Sequence, residues 1–257
     1  MKNKLIFILL VVSLCIVFCM SVNAMSGSGT ESDPYIVTSV DDFMAINNNK
    51  TACYKLNTDL VLPTSTGAYI TSKSAFSGVF NGDGHSITVD IQGAANTKSD
   101  TFEALFAIVT GEIKNLTVKG SVTGSNKVAG IVGKLEKGGK INNCINYATV
   151  YGRKNVAGIA GVIFDQPVNG VAPGTKITGC ANLGTISGHA VNNGLDIGGI
   201  VGCVWYSYDN GIYIENCYNE GTISVADGKG GDNVGGIVGY LENGKVDLEK
   251  CLYIKRL

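Results

Sequence analysis

One hexapeptide constrains this chain more than anything else in it. Val128-Ala-Gly-Ile-Val-Gly133 recurs as Val156-Ala-Gly-Ile-Ala-Gly161, Ile197-Gly-Gly-Ile-Val-Gly202 and Val234-Gly-Gly-Ile-Val-Gly239, at steps of 28, 41 and 37 residues. Self-similarity at such a period marks a repeat architecture, in which one unit cannot bury its own apolar face and must stack on its neighbours. Two further elements keep step with it. The first is Ile141-Asn-Asn-Cys-Ile-Asn146, Ile177-Thr-Gly-Cys-Ala-Asn182, Ile214-Glu-Asn-Cys-Tyr-Asn219 and the degenerate Leu248-Glu-Lys-Cys-Leu-Tyr253. The second is Ala148-Thr-Val150, Gly184-Thr-Ile186 and Gly221-Thr-Ile223. An earlier coil fits the same frame through Ala104 to Val109, Ile113 to Leu116 and Gly120 to Val122.

Each coil therefore holds three short β-branched segments separated by Gly, Asn and Lys, which read as strands because none is long enough for a helix. Stacking places Leu116, Cys144, Cys180, Cys217 and Cys251 in one inward column, a site that takes a modest buried hydrophobe. Asn146, Asn182 and Asn219 form a second column at the following corner, where amides bond from coil to coil and satisfy turn backbone groups. Ser121, Thr149, Thr185 and Thr222 form an outward column, with Thr123, Tyr151, Ser187 and Ser224 beside it. The fold class that follows is all-β: a right-handed single-stranded parallel β-helix.

These residues resemble the GLUG-motif repeats of secreted and surface proteins, which also accompany the catalytic domains of IgA-specific metallopeptidases. Gly29-Thr-Glu-Ser-Asp-Pro-Tyr-Ile36 is similar to that family's opening strand, and Phe76-Ser-Gly-Val-Phe-Asn-Gly-Asp-Gly-His-Ser-Ile87 to its next signature. The resemblance spans most of residues 27–257. It implies a β-helix and no single activity.

The N-terminus reads as a targeting segment. Lys2 and Lys4 precede an apolar run from Leu5 to Met20, and Val22-Asn-Ala24 offers small residues for cleavage. We expect a signal peptide over 1–24, an N-terminal cap with lead-in coils over 25–100, and repeat coils over 101–257. No later run is apolar enough to span a membrane. Ser39 with Asp42 makes a near capping box, so a short helix is expected near Ser39 to Asn48, covering one end of the stack.

Composition excludes several classes. Net charge is −1 and only Arg153 and Arg256 are arginines, which argues against nucleic acid as a partner. The 35 glycines recur in a long register, unlike collagen. Cys53, Cys144, Cys180, Cys203, Cys217 and Cys251 follow the signal segment. Stacked positions about 4.8 Å apart sit just beyond the usual disulfide Cβ range, so buried free thiols are expected, with one or more column disulfides as the alternative. No Cys-x-x-Cys or neighbouring His points to a metal, and no cofactor fingerprint is present. The only histidines are His85, in a turn, and His189; there is no His-Glu-x-x-His, so the peptidase chemistry of the GLUG-bearing enzymes is absent from this sequence. The acids Asp165, Asp196, Asp209, Glu215, Asp227 and Asp232 are scattered; a glycosidase requires a pair, and Asp165 and Asp209, in corresponding loops of adjacent coils, are the two that could approach each other.

The repeat is broken at one corner. From the last glycine of the hexapeptide to the column cysteine the coils run 11, 19, 15 and 12 residues. Insertions in repeats gather on one face, often the binding face. They bring Phe164 and Asp165 in one coil, and Trp205, Tyr206, Tyr208 and Asp209 in the next. Aromatics beside carboxylates suit stacking on sugar rings or docking a protein, although such side chains also fold back over their own coil. The expectation is a secreted or cell-surface scaffold that binds glycan or a surface protein through these loops. The alternatives are a polysaccharide hydrolase or lyase using acids of the same loops, and a structural spacer.

Overall fold

The computed structural model describes residues 25–94, 101–166, 174–189, 194–205, 211–226, 233–242 and 245–254. The expected signal segment, 1–24, lies outside them, as do Tyr206, Tyr208, Asp209, Asp227 and Asp232. The chain is all-β apart from one short helix and a following 3-10 turn, and its strands associate in parallel. Four sheets result: an eight-stranded sheet A, a ten-stranded sheet B, a five-stranded sheet C and a four-stranded sheet D.

One coil shows the path. It runs through Val132–Glu136 in sheet C, Lys140–Asn142 in A, Ile145–Asn146 and Thr149–Gly152 in B, and Lys154–Ala157 in D. Ala160–Phe164 then returns it to C. Val132 pairs with Ala160, Ile141 with Ile177, Asn146 with Asn182, Val150 with Ile186 and Val156 with Ile197. A single register thus holds all the way round, and equivalent residues of successive coils lie over one another.

The sequence suggested three segments per coil; the structure makes five strands, and the hexapeptide is not one of them. It is the corner where D turns into C. Val128 and Ala129 end one strand, Gly130 and Ile131 turn, and Val132 begins the next. Two glycines make this possible. A Cβ on Gly130 would stand 2.1 Å from the Asn146 Oδ1, and one on Gly133 only 2.9 Å from the Ala107 carbonyl oxygen. The second element bends as well. Asn115, Asn143, Gly179, Asn216 and Lys250 occupy the A-to-B corner with φ of 53°, 52°, 63°, 53° and 51°. Asn and Gly are the residues that best tolerate this left-handed region.

Both inward columns form. Leu116, Cys144, Cys180 and Cys217 are buried, and the six described cysteines are free thiols. Each column thiol points at a carbonyl of the previous coil, as in Cys180 Sγ to the Ile141 oxygen at 3.5 Å. The Asn146 Nδ2 donates to the Asn182 Oδ1 at 2.8 Å, and the Asn182 Nδ2 to the Asn219 Oδ1 at 2.7 Å. Each amide also serves its own turn: the Ala148 N–H donates to the Asn146 Oδ1, and the Asn182 Nδ2 donates to the Gly184 oxygen. Outside, Ser121, Thr149, Thr185 and Thr222 are exposed and stack in register.

The helix, Val40–Ala45, begins at Ser39, whose side chain accepts the Asp42 N–H. Its Phe43 meets Phe80 and Phe106 edge-on with ring centroids 5.7 and 6.1 Å apart. The helix therefore closes the N-terminal end of the core with aromatic surface. Among the described residues no helix is long and apolar enough to cross a membrane.

Candidate functional site

Sheets D and C meet at the hexapeptide, and their outward side chains converge in the angle between them. On sheet D the residue before the first Val or Ile of each hexapeptide faces this angle: Lys127, Asn155, Asp196 and Asn233 in successive coils. On sheet C the facing column is Lys134, Val162, Cys203 and Tyr240. Two residues further along sheet C lie Glu136, Phe164 and Trp205, again in register.

The inserted-loop aromatics are therefore stacked neighbours at the rim of the angle, and both are half-buried. The Lys134 Nζ lies 5.4 Å from the Phe164 ring centroid. The Nζ atoms of Lys127 and Lys154 each lie 5.5 Å from the Trp205 ring. Lys127 also covers Phe102, one coil back, at 4.9 Å. Ammonium groups at these distances from an aromatic face are held by its quadrupole. Trp205 thus lies back across the angle rather than projecting from it. Lys134 is steadied by Glu136 at 2.7 Å.

Burial tunes these groups. Lys127 is almost fully enclosed, and desolvation together with the Lys134 and Lys154 charges pulls its ammonium down to about 8. Asp196 is buried, and desolvation pushes its carboxyl above the usual range, against the bond from Asn233 and the charge of Lys154. Both its oxygens are occupied: Oδ2 accepts the Asn155 Nδ2 at 2.8 Å and Oδ1 the Asn233 Nδ2 at 2.7 Å. Asn155, Asp196 and Asn233 therefore make a second polar ladder, parallel to the inner one. Cys203 lies against Asp196, and burial first, then that negative charge, push its thiol well up, so it is no ready nucleophile.

Asp165 stands apart from the angle. It is buried at the base of its inserted loop, where Oδ2 accepts the Thr175 N–H at 3.3 Å across the loop ends. Tyr206, Tyr208 and Asp209 lie outside the described residues. Sequence reasoning missed Lys127, Lys134, Lys154 and Phe102, and had Asp196 only as one of the scattered acids. A signal was present: aligning the hexapeptides shows that the residue before each is always polar (Lys, Asn, Asp, Asn), where a core column would be apolar.

Among the described residues no group of three or more His, Cys, Asp or Glu side chains is placed to hold a metal ion. What the rim of the angle offers is the aromatic surface of Phe164 and Trp205 with the ammonium groups of Lys134 and Lys154, while Lys127 and the ladder lie buried beneath.

No family model matches the chain. It is 28% identical to Halomucin from Haloquadratum walsbyi over an alignment that takes in 43% of this chain and 2% of that protein. The chain thus spans a very small part of the curated relative that it matches. Its fold is similar to the crystal structure of a Bacteroides ovatus protein provisionally named an immunoglobulin A1 protease, with a TM-score of 0.70. That likeness covers 88% of this chain and 68% of the other at 24% identity, and it speaks for the fold alone.

Proposed function

We propose that this chain is a secreted or surface-displayed right-handed parallel β-helix of the GLUG-repeat kind that binds glycan in the angle between sheets C and D. The carrying observation is the in-register pair Phe164 and Trp205 with lysine ammonium groups 5.4 to 5.5 Å from their rings. Aromatic faces stack on the apolar side of sugar rings, and ammonium groups beside them attract carboxylate or sulfate substituents. The similarity to Halomucin supports a surface setting, and the Bacteroides ovatus fold supports a coiled parallel stack. Glycan binding rather than glycan cleavage is favoured because both Asp196 oxygens are committed to the ladder. A cleaving site needs one carboxyl free to give a proton and another free to act as base or nucleophile.

The test is retention on immobilised neutral and acidic polysaccharides, with release of reducing ends measured in parallel. Wild type is expected to be retained without cleaving, and Trp205→Ala to weaken retention about ten-fold at unchanged folding, the scale of one lost stacking contact. Unchanged retention by that variant would remove the angle from the account. Release of new reducing ends would favour the hydrolase or lyase reading.

A further inference from the structure

The angle between D and C continues one coil towards the N-terminus, beyond Lys127, and there no described residue fills it. Phe102 holds the sheet D position and Ile108 the sheet C position; Ala107, the residue before it, floors the space, and the coil before contributes the strap 66–72. At Gly67 the strap has no side chain to place in the angle. The result is a cavity of about 350 Å³ lined by Thr66, Thr71, Ser72, Thr101, Phe102 and Glu103, among others. That volume lies at the small end of the roughly 300–1,000 Å³ seen for ligand sites.

The cavity wall is held by polar side chains beneath it, one half-buried and two buried. The Asn47 Oδ1 accepts the Thr71 N–H at 2.9 Å, and its Nδ2 donates to the Tyr69 oxygen at 2.8 Å. Lys50, only 6% exposed, donates from Nζ to the carbonyl oxygens of Thr71 and Ser74. Burying an ammonium group is costly unless it is fully bonded, and here it is used to fix a surface strap. On the opposite wall Glu103 is 3% exposed. Its Oε2 accepts the Thr101 hydroxyl at 3.0 Å and the Ser125 N–H at 3.2 Å. Fixed walls with convergent polar groups are what a preorganised binding site requires.

We propose that this cavity binds one neutral sugar ring, the end unit of a glycan that runs on along the angle towards Trp205. The class follows from the lining. Hydroxyls on Thr66 and Ser72 both give and accept hydrogen bonds, as sugar hydroxyls do, while those on Thr71 and Thr101 donate to Asn47 and Glu103 and are left to accept. The Glu103 carboxylate accepts a hydrogen bond from a hydroxyl and repels a carboxylate, so uronates are disfavoured at this position. Phe102 supplies the apolar surface for a ring face. This assignment rests on the glycan-binding reading above and places its end.

The experiment is saturation-transfer NMR on the full chain with the methyl glycosides of glucose, galactose, mannose, N-acetylglucosamine and glucuronic acid. At least one neutral glycoside is expected to receive saturation that is lost when the cavity is altered, and the glucuronide to receive none that depends on the cavity. The double variant Thr66→Val, Ser72→Val changes two exposed side chains, and circular dichroism checks its fold. It is expected to weaken that binding about five-fold or more, the effect of one or two lost hydrogen bonds. Thr149→Val, on the outer face of sheet B, is expected to leave single-ring binding unchanged. Absence of saturation for every neutral glycoside, or equal binding by the double variant, overturns the assignment. If polysaccharide is still retained in that case, the cavity proposal fails alone; if neither ligand binds, both readings fail. Single-ring binding that the double variant abolishes, without polysaccharide retention, keeps the cavity and sinks the longer groove.

Discussion

Asn182 is the middle rung of three stacked amides. It accepts from Asn146, donates to Asn219 and to the Gly184 oxygen, and its own Oδ1 fills the space that the missing side chain of Gly158 leaves. Replacing it with Ala leaves buried donors and acceptors without partners on two coils. At about 1–3 kcal/mol for each orphaned group, Asn182→Ala is expected to lose about 3 kcal/mol in a urea titration. Asn219→Ala should cost less, because its Nδ2 already lacks a partner and Tyr253 takes the next register position. Glu103 gives a prediction in pH. Burial holds its carboxyl above the usual 4.5, so the folded chain binds this proton more tightly than the unfolded chain. Its ionisation therefore lowers stability as pH rises from 4.5 through the raised value, and the loss is constant above it. Gln does not titrate. The stability of Glu103→Gln relative to wild type is expected to rise across that window and stay flat at neutral pH; a gap independent of pH from 4 to 7 would contradict it.

At the scale of elements, the hexapeptide was visible in the sequence while its role was not. Its spacing revealed a repeat, but Gly-Ile-Val-Gly is apolar and β-branched and so reads as a strand. It is a corner because two glycines let the chain pass close to the Asn ladder and to the backbone of sheet D, a constraint that only the neighbouring coils impose. A Cβ on Gly202 would meet the Asn155 carbonyl carbon, the Gly161 oxygen and the Val156 nitrogen, each at 2.7 Å. None of these backbone atoms can swing aside as a side chain would. Gly202→Ala is expected to cost about 2–3 kcal/mol, the usual range for overpacking. Gly194→Ala, with nothing within 4 Å of its Cβ, should stay within about 1 kcal/mol of wild type. Equal effects would show that the corner is looser than described. The column of Leu116 and the cysteines was fully legible, because an inward position tolerates few residue types. The angle between D and C was only half legible. Phe164 and Trp205 stood out as insertions, whereas Lys127, Lys154 and Asp196 became neighbours only once the coils were stacked.

For the whole molecule, burial depends on the coil that follows. Ile197 and Ile214 are fully buried, while Val234 and Leu248, their register partners in the last described coil, are 53% and 52% exposed. Stability is then a sum of contacts between adjacent coils, as in other stacked repeats, and the N-terminal helix with its aromatic cluster makes one end distinct. The same stacking turns short motifs into long surfaces. A column of side chains repeated at about 4.8 Å makes a continuous outer angle from the cavity at Phe102 to the ring of Trp205. The central claim is that the repeat supplies the scaffold and that ligand binds in this angle, where the repeat is broken. A crystal structure of the chain soaked with an oligosaccharide of the polymer it retains tests this most directly. The account predicts sugar density in the angle between sheets C and D, with one ring beside Phe102 and Glu103 and another beside Trp205. Density on the hydroxyl face of sheet B, or none at all, would contradict it.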